Sequence, residues 1–200
     1  MTGLSSEFYE VADKLPQRVR PMIEYAKDID PAVVVVCDRD ARPLGRVFER
    51  MAQAEGYEVP LRYKRISKRL GANAADATDL VTAHCADVPE LIKNAENPAR
   101  IMVIDDYVGK AGTVALFRTA MRRLSLDNLD LHWVTLTGRG TALNVLPYAS
   151  PNVEVPWRDR EDIIGVHYDG MTPRKVETEL SREFYDLLDK SVERSLIIAR

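Results

Sequence analysis

The chain has 200 residues, with 28 Lys+Arg against 31 Asp+Glu and a formal net charge of −3. That length suits one domain, residues 1–200, able to bury a full core without disulfides or a metal. The slightly acidic balance argues against a protein that coats nucleic acid, so nucleic acid is not an expected partner. Cys37 and Cys85 match no metal-ligand spacing and read as buried free thiols of a reducing compartment. The first residues carry no basic segment followed by an apolar one, and no apolar run reaches the length of a membrane span. The expectation is a soluble, cytoplasmic protein with no membrane partner.

Residues from about Ser5 to Ala26 predict a helix with a break at Pro16. Ala32-Val33-Val34-Val35-Val36-Cys37 is a short β-branched apolar run bounded by Pro31 and Asp38. It predicts a strand buried on both faces, the pattern of a parallel sheet. Pro43 to Ala54 reads as a helix with Leu44, Val47, Phe48 and Met51 on one face. Tyr57 to Tyr63 reads as a second strand, Lys64 to Asn73 as a basic mobile loop, and Ala74 to Cys85 and Val88 to Asn97 as helices. Arg100 to Ile104 is the next buried strand, Gly112 to Leu124 a helix, and Leu129 to Leu136 a third buried strand. Ile163 to Val166 reads as an edge element and Arg182 to Ile198 as a C-terminal amphipathic helix.

Apolar strands alternating with amphipathic helices predict an α/β fold, an open parallel sheet flanked by helices. In such sheets ligands bind beyond the carboxyl ends of the strands, where the strand order switches. The stretch Ile101-Met102-Val103-Ile104-Asp105-Asp106-Tyr107-Val108-Gly109-Lys110-Ala111-Gly112-Thr113 is therefore the most informative. A buried strand ends in two carboxylates, small residues follow, and a helix begins near Thr113. Small residues let successive N–H groups converge, and the helix N-terminus adds partial positive charge. Lys110 adds a full charge and Thr113 a hydroxyl donor. Asp105 and Asp106 can accept hydrogen bonds from sugar hydroxyls or hold Mg²⁺.

This stretch resembles the phosphoribosyl-diphosphate (PRPP) signature of type I phosphoribosyltransferases: four apolar residues, two acidic, two apolar, then a small loop closing on Thr or Ser. Tyr107, Gly109 and Lys110 depart from it. The resemblance implies that Asp105 and Asp106 contact the ribose hydroxyls as the catalytic pair, with Mg²⁺ as cofactor. It implies that Gly109, Lys110, Ala111, Gly112 and Thr113 wrap the 5′-phosphate. It also implies a core at about residues 30–145 and a small hood from residues 1–29 and 146–200. In that family the loop after the first core strand holds diphosphate. Here that loop is Cys37 to Pro43, where Arg39, with Arg42, would take the role, without the family's glycines. Asp40 as a helix N-cap is the plainer reading of the same residues.

The family keeps a flexible loop where this chain has Tyr63 to Gly71, so Lys64 or Lys68 would close over the site. A solvated basic loop explains the same cations. Asp162-Ile163-Ile164-Gly165-Val166-His167-Tyr168-Asp169 resembles the purine-stacking stretch of the hypoxanthine-guanine phosphoribosyltransferase group. On that match Ile163 would contact the base, and Asp169 would lie near the purine edge or the metal. That group carries an acidic residue near base N7 where this chain has Gly109.

The implied activity is transfer of a 5-phosphoribosyl group from PRPP to a nucleobase, releasing diphosphate. The partners are small molecules, PRPP with a base or a nucleotide, and a homodimer is compatible. Two alternatives stay open. One is a regulator that binds PRPP or a nucleotide without catalysis. The other is a Mg²⁺-dependent phosphatase or receiver-like domain using Asp38, Asp105 and Asp106.

Overall fold

The computed structural model describes residues 3–67, 73–108, 112–138, 145–147, 155–158, 160–169 and 172–198. Its centre is β1 (Val33–Cys37), every residue of which is buried. Such a strand needs neighbours on both sides and helices on both faces. It pairs in parallel with β2 (Leu61–Lys64) on one side and β3 (Ala99–Val108) on the other. β3 pairs with β4 (Leu129–Gly138), and β4 with β5 (Val145–Pro147), all parallel. The order is β2-β1-β3-β4-β5. The chain leaves β1 in one direction and returns to β3 on its other side. The switch in strand order therefore falls between the carboxyl ends of β1 and β3.

Handedness distributes the helices. A right-handed crossover places α2 (Arg42–Ala54), between β1 and β2, on one face. It places α3 (Ala74–His84), α4 (Val88–Ile92) and α5 (Gly112–Arg123) on the other. α3 packs against α5, while α1 (Ser6–Ile29) and α7 (Glu179–Ile198) join α2. The terminal helices thus form a layer on the sheet. Between β5 and α7 lie the single turn α6 (Glu161–Ile164) and an antiparallel hairpin of β6 (Val166–Asp169) and β7 (Thr172–Lys175). Among the described residues no helix is long and apolar enough to cross a membrane.

Several elements differ from expectation. α1 runs unbroken through Pro16 and Pro21. Each proline removes an amide from the helix interior at roughly 3 kcal/mol. Burial of Phe8, Ala12, Leu15, Val19, Met22, Ile23 and Ala26 along one face offsets that. β3 and β4 each run beyond the predicted strands, and Asp105 pairs in register with Thr135. The acidic pair, expected at the strand end, lies just ahead of it, with Tyr107 and Val108 continuing β3. Lys64 likewise ends β2 instead of opening a mobile loop. The edge element resolves into α6 and the hairpin, with Gly165 between them at φ +73°.

α2 lies close over β1. A Cβ built on Gly45 meets both Cγ atoms of Val36 at 2.8 Å and Cε1 of Tyr63 at 3.0 Å. Val36 is fully buried and has nowhere to retreat. Gly45→Ala should therefore destabilise the fold by about 1–2 kcal/mol in urea denaturation, although alanine is the better helix former. A more stable variant would mean that the helix can lift off the strand without loss.

Candidate functional site

The carboxyl ends of β1 and β3 open onto a cavity of 390 Å³ lined by Asp38, Arg39, Asp105, Asp106, Thr113 and Arg158, among others. It sits at the switch point. In it the loop after β1, the acidic end of β3 and the start of α5 come together. Of the predicted ligand-binding residues, Asp105, Asp106, Arg39 and Thr113 line it, and Gly112 is the first residue of α5.

Asp105 and Asp106 are both buried, at 7 % and 6 % exposure. The amide of Asp106 donates to Asp105 Oδ1 at 2.9 Å. Burial first, then the charge and side-chain hydrogen bond of Asp106, push the Asp105 carboxyl well above the usual carboxylate range. Asp106 has a different partner. Nε and Nη2 of Arg158 lie 2.9 and 2.7 Å from its Oδ2, and the guanidinium carbon is 5.1 Å from the centroid of the Tyr107 ring. The strand thus ends in one carboxyl that favours its proton and one neutralised by arginine.

The loop after β1 is equally committed. Asp38 receives the fork of Arg42, with Nε at 2.7 Å and Nη2 at 2.5 Å. Arg39 takes φ +89°, the left-handed region where non-glycine residues are strained. Its amide donates to Asp38 Oδ1 at 2.8 Å and its guanidinium reaches Asp40 Oδ2 at 3.3 Å. The chain thus makes a left-handed turn with an arginine where glycine is the unstrained choice. Asp40 is not the N-cap of α2; Ala41 is, with Pro43 in the first turn. The Asp40 carbonyl instead accepts a 2.8 Å hydrogen bond from the indole of Trp157.

Other predicted site residues lie elsewhere. Lys64 is 8 % exposed, and its Nζ is 2.5 Å from Asp87 Oδ1 at the start of α4. It is held as a strand-end ion pair and does not serve as a lid. Ile163 is 1 % exposed and part of the core, so it presents no face to a base. Asp169 lies in the β6–β7 hairpin, exposed, with Arg174 Nη2 at 2.7 Å from its Oδ2. It is not among the residues lining the cavity with Asp105 and Asp106. Among the described residues there is no group of three or more His, Cys, Asp or Glu placed to hold a metal. Lys68, Gly109, Lys110 and Ala111 lie outside the described residues.

Arg158 was not legible in the sequence. It is 52 positions from Asp106, and neither its spacing nor its neighbours mark it. Arg65 and Ser67, from the basic stretch, also line the cavity. Cys37 lines it too, but burial followed by the charges of Asp105 and Asp106 push its thiol well above the usual range. It is no thiolate nucleophile.

No protein-family model matches the chain, and no curated protein matches it in sequence. Among solved structures, the hypoxanthine-guanine phosphoribosyltransferase of Schistosoma mansoni in complex with IMP is similar at 11 % identity and a TM-score of 0.38. The match covers 68 % of this chain and 62 % of that one. The corresponding enzyme of Leishmania tarentolae in complex with GMP is similar at 17 % identity and a TM-score of 0.40, covering 86 % of this chain and 88 % of that one. At such scores the likeness is loose and says nothing of the cavity's chemistry.

The raised carboxyl of Asp105 has a measurable consequence. Above the ordinary aspartate pKa of about 4, the unfolded chain releases a proton that the folded chain keeps. Stability contributed at this position is present at low pH and is lost as pH rises toward the raised value. Asp105→Asn removes that loss. The difference in stability between variant and parent should move in favour of the variant as pH rises from about 4.5 to 7. A difference constant across that range would mean that Asp105 ionises as readily folded as unfolded.

Proposed function

We propose that this protein binds PRPP, or the 5′-phosphate and ribose of a nucleotide, in the cavity between β1 and β3, and transfers the phosphoribosyl group to a nucleobase. The observation that carries this reading is the set of groups gathered in one cavity. The carboxyl pair Asp105–Asp106, the start of α5 at Thr113, and the guanidiniums of Arg39 and Arg65 all line it.

The chemistry suits that ligand. Each hydroxyl of a ribose diol both donates and accepts. A carboxyl that favours its proton, beside a second one whose oxygens accept, offers both functions in return. Thr113 and the N-terminus of α5, with Gly109 to Gly112 and Lys110, would take the 5′-phosphate. The planar forks of Arg39 and Arg65 match diphosphate oxygens. In the transfer the bond from C1′ to the diphosphate oxygen breaks, the bond from C1′ to a base nitrogen forms, diphosphate leaves with the electron pair, and the proton of that nitrogen passes to solvent. These residues would hold the sugar in place and stabilise charge on the leaving group, with no covalent intermediate.

Mg²⁺ commonly binds through one or two carboxylates together with substrate phosphates and water. Asp106 would join that donor set once a ligand displaces Arg158, and Asp105 on giving up its proton, with a diphosphate supplying the remaining oxygens. The ion would neutralise charge on the departing diphosphate. Asp169, in the hairpin, is not needed for it.

A second reading is binding without transfer. The forks of Arg158 on Asp106 and of Arg42 on Asp38 favour it, because a ligand must displace or reorient them.

The test is thermal unfolding with Mg²⁺ and PRPP, beside ribose 5-phosphate and a panel of nucleoside monophosphates. A ligand at about 100 times its dissociation constant adds roughly 2.7 kcal/mol to the native state. PRPP should raise the midpoint, and Asp106→Asn should abolish the rise. If neither PRPP nor any monophosphate shifts it, the proposal is wrong. If PRPP binds but no base releases diphosphate from it, the second reading holds.

A further inference from the structure

The largest cavity among those described lies away from the carboxyl ends of β1 and β3. It is bounded by α2, the end of β2, the α6–β6 turn, the β6–β7 hairpin and the start of α7, and has a volume of 620 Å³. Pockets of about 300–1,000 Å³ hold small organic ligands. The phosphoribosyl reading assigns it no role.

Its lining divides into committed and uncommitted groups. Arg42 forks onto Asp38, Arg46 onto Asp189 with Nη2 at 2.8 Å, and Lys175 lies 3.3 Å from Glu177. These charges cancel in pairs. The Arg42 guanidinium also lies 4.9 Å from the centroid of the Tyr63 ring, and that of Arg46 5.2 Å from the centroid of Tyr185. Four lining groups lack a charged partner. The carboxylates of Glu49 and Asp186 and the Tyr63 hydroxyl have no hydrogen bond or ion pair among the described residues. Arg182 reaches only the Thr178 carbonyl, at 3.5 Å.

That set selects a class of ligand. Two uncommitted carboxylates repel an anion and want N–H donors. The guanidinium of Arg182, which has no carboxylate partner among the described residues, disfavours an organic cation. Arg182 and the Tyr63 hydroxyl supply donors for carbonyl or ring-nitrogen acceptors, and the two tyrosine rings give aromatic contact for a flat molecule. We propose that this cavity is a second ligand site, for a neutral planar heterocycle with adjacent N–H donors and a carbonyl acceptor, of the kind a guanine nucleoside presents. Glu49 and Asp186 accept its N–H groups, and Arg182 pairs with its acceptor edge.

The site is joined to the first by one ion pair. Arg42 lines the second cavity, and its partner Asp38 lines the first. A ligand that draws Arg42 away therefore takes one partner from Asp38, which keeps the Arg39 amide. The proposal does not depend on the first cavity binding PRPP.

Calorimetric titration of the full chain with guanosine, without Mg²⁺ or PRPP and with cytidine as comparator, tests it. Guanosine should bind at one site. Glu49→Gln and Asp186→Asn, conservative changes at a half-buried and an exposed position, should each weaken it about tenfold, the loss expected of one hydrogen bond to a charged group. Asp106→Asn should leave it unchanged. No guanosine binding up to its solubility limit overturns the proposal. So does binding that survives both carboxylate substitutions, or binding lost on Asp106→Asn, which would put the nucleoside in the first cavity.

Discussion

The side-by-side pairing of β1 with β3 is the constraint on which the rest of the carboxyl edge depends. Both strands are built from residues too apolar to face water on either side, Val33 to Val36 and Ile101 to Ile104, all fully buried. Only a central position in a sheet covered on both faces satisfies them. Once they are neighbours, and β2 lies on the far side of β1, the loops leaving them diverge and a crevice opens between. Asp38 and Asp106 belong to one cavity for that reason, although the sequence separates them widely.

Charge in that crevice is nearly balanced and already paired. Its lining includes four carboxyl groups, Asp38, Asp40, Asp106 and the proton-favouring Asp105, with three guanidiniums, Arg39, Arg65 and Arg158. Buried charges left unpaired cost several kcal/mol each, so a protein holding them ready for a ligand must pair them meanwhile. Arg42 on Asp38 and Arg158 on Asp106 do this. Any anionic or sugar ligand then exchanges partners with the site, and its affinity is the difference between the two sets of bonds.

The sheet was legible because its signals are strong and local. Valine runs bounded by Pro31 and Asp38 declare β1. The spacing of Val114, Leu116, Phe117, Ala120 and Met121 declares the buried face of α5, where all five are buried. The acidic end of β3 was legible from residue type and position alone. What escaped depends on tertiary partners. Lys64 looks like a loop cation until Asp87 is seen beside it. Ile163 looks suited to contact a base, and packing places it in the core. Arg158 carries no local pattern; only the approach of a distant turn to β3 gives it a role. The unbroken α1 shows the reverse case, where burial of one face overrides two prolines.

Trp157 and Arg158 are adjacent, yet they fasten to different strands. The indole of Trp157 holds the Asp40 carbonyl beyond β1, and the guanidinium of Arg158 holds Asp106 at the end of β3. The first of these contacts spans 117 positions of the chain. Contacts of such long range carry a large loop-closure entropy and come after local ones. The sheet can therefore assemble while the roof of its crevice is still open. The turn at residues 155–158 then closes after the strands have paired and can open without them. Amides of the turn at residues 155–158 would then exchange with solvent well before those of β1, through a local opening that leaves the sheet intact.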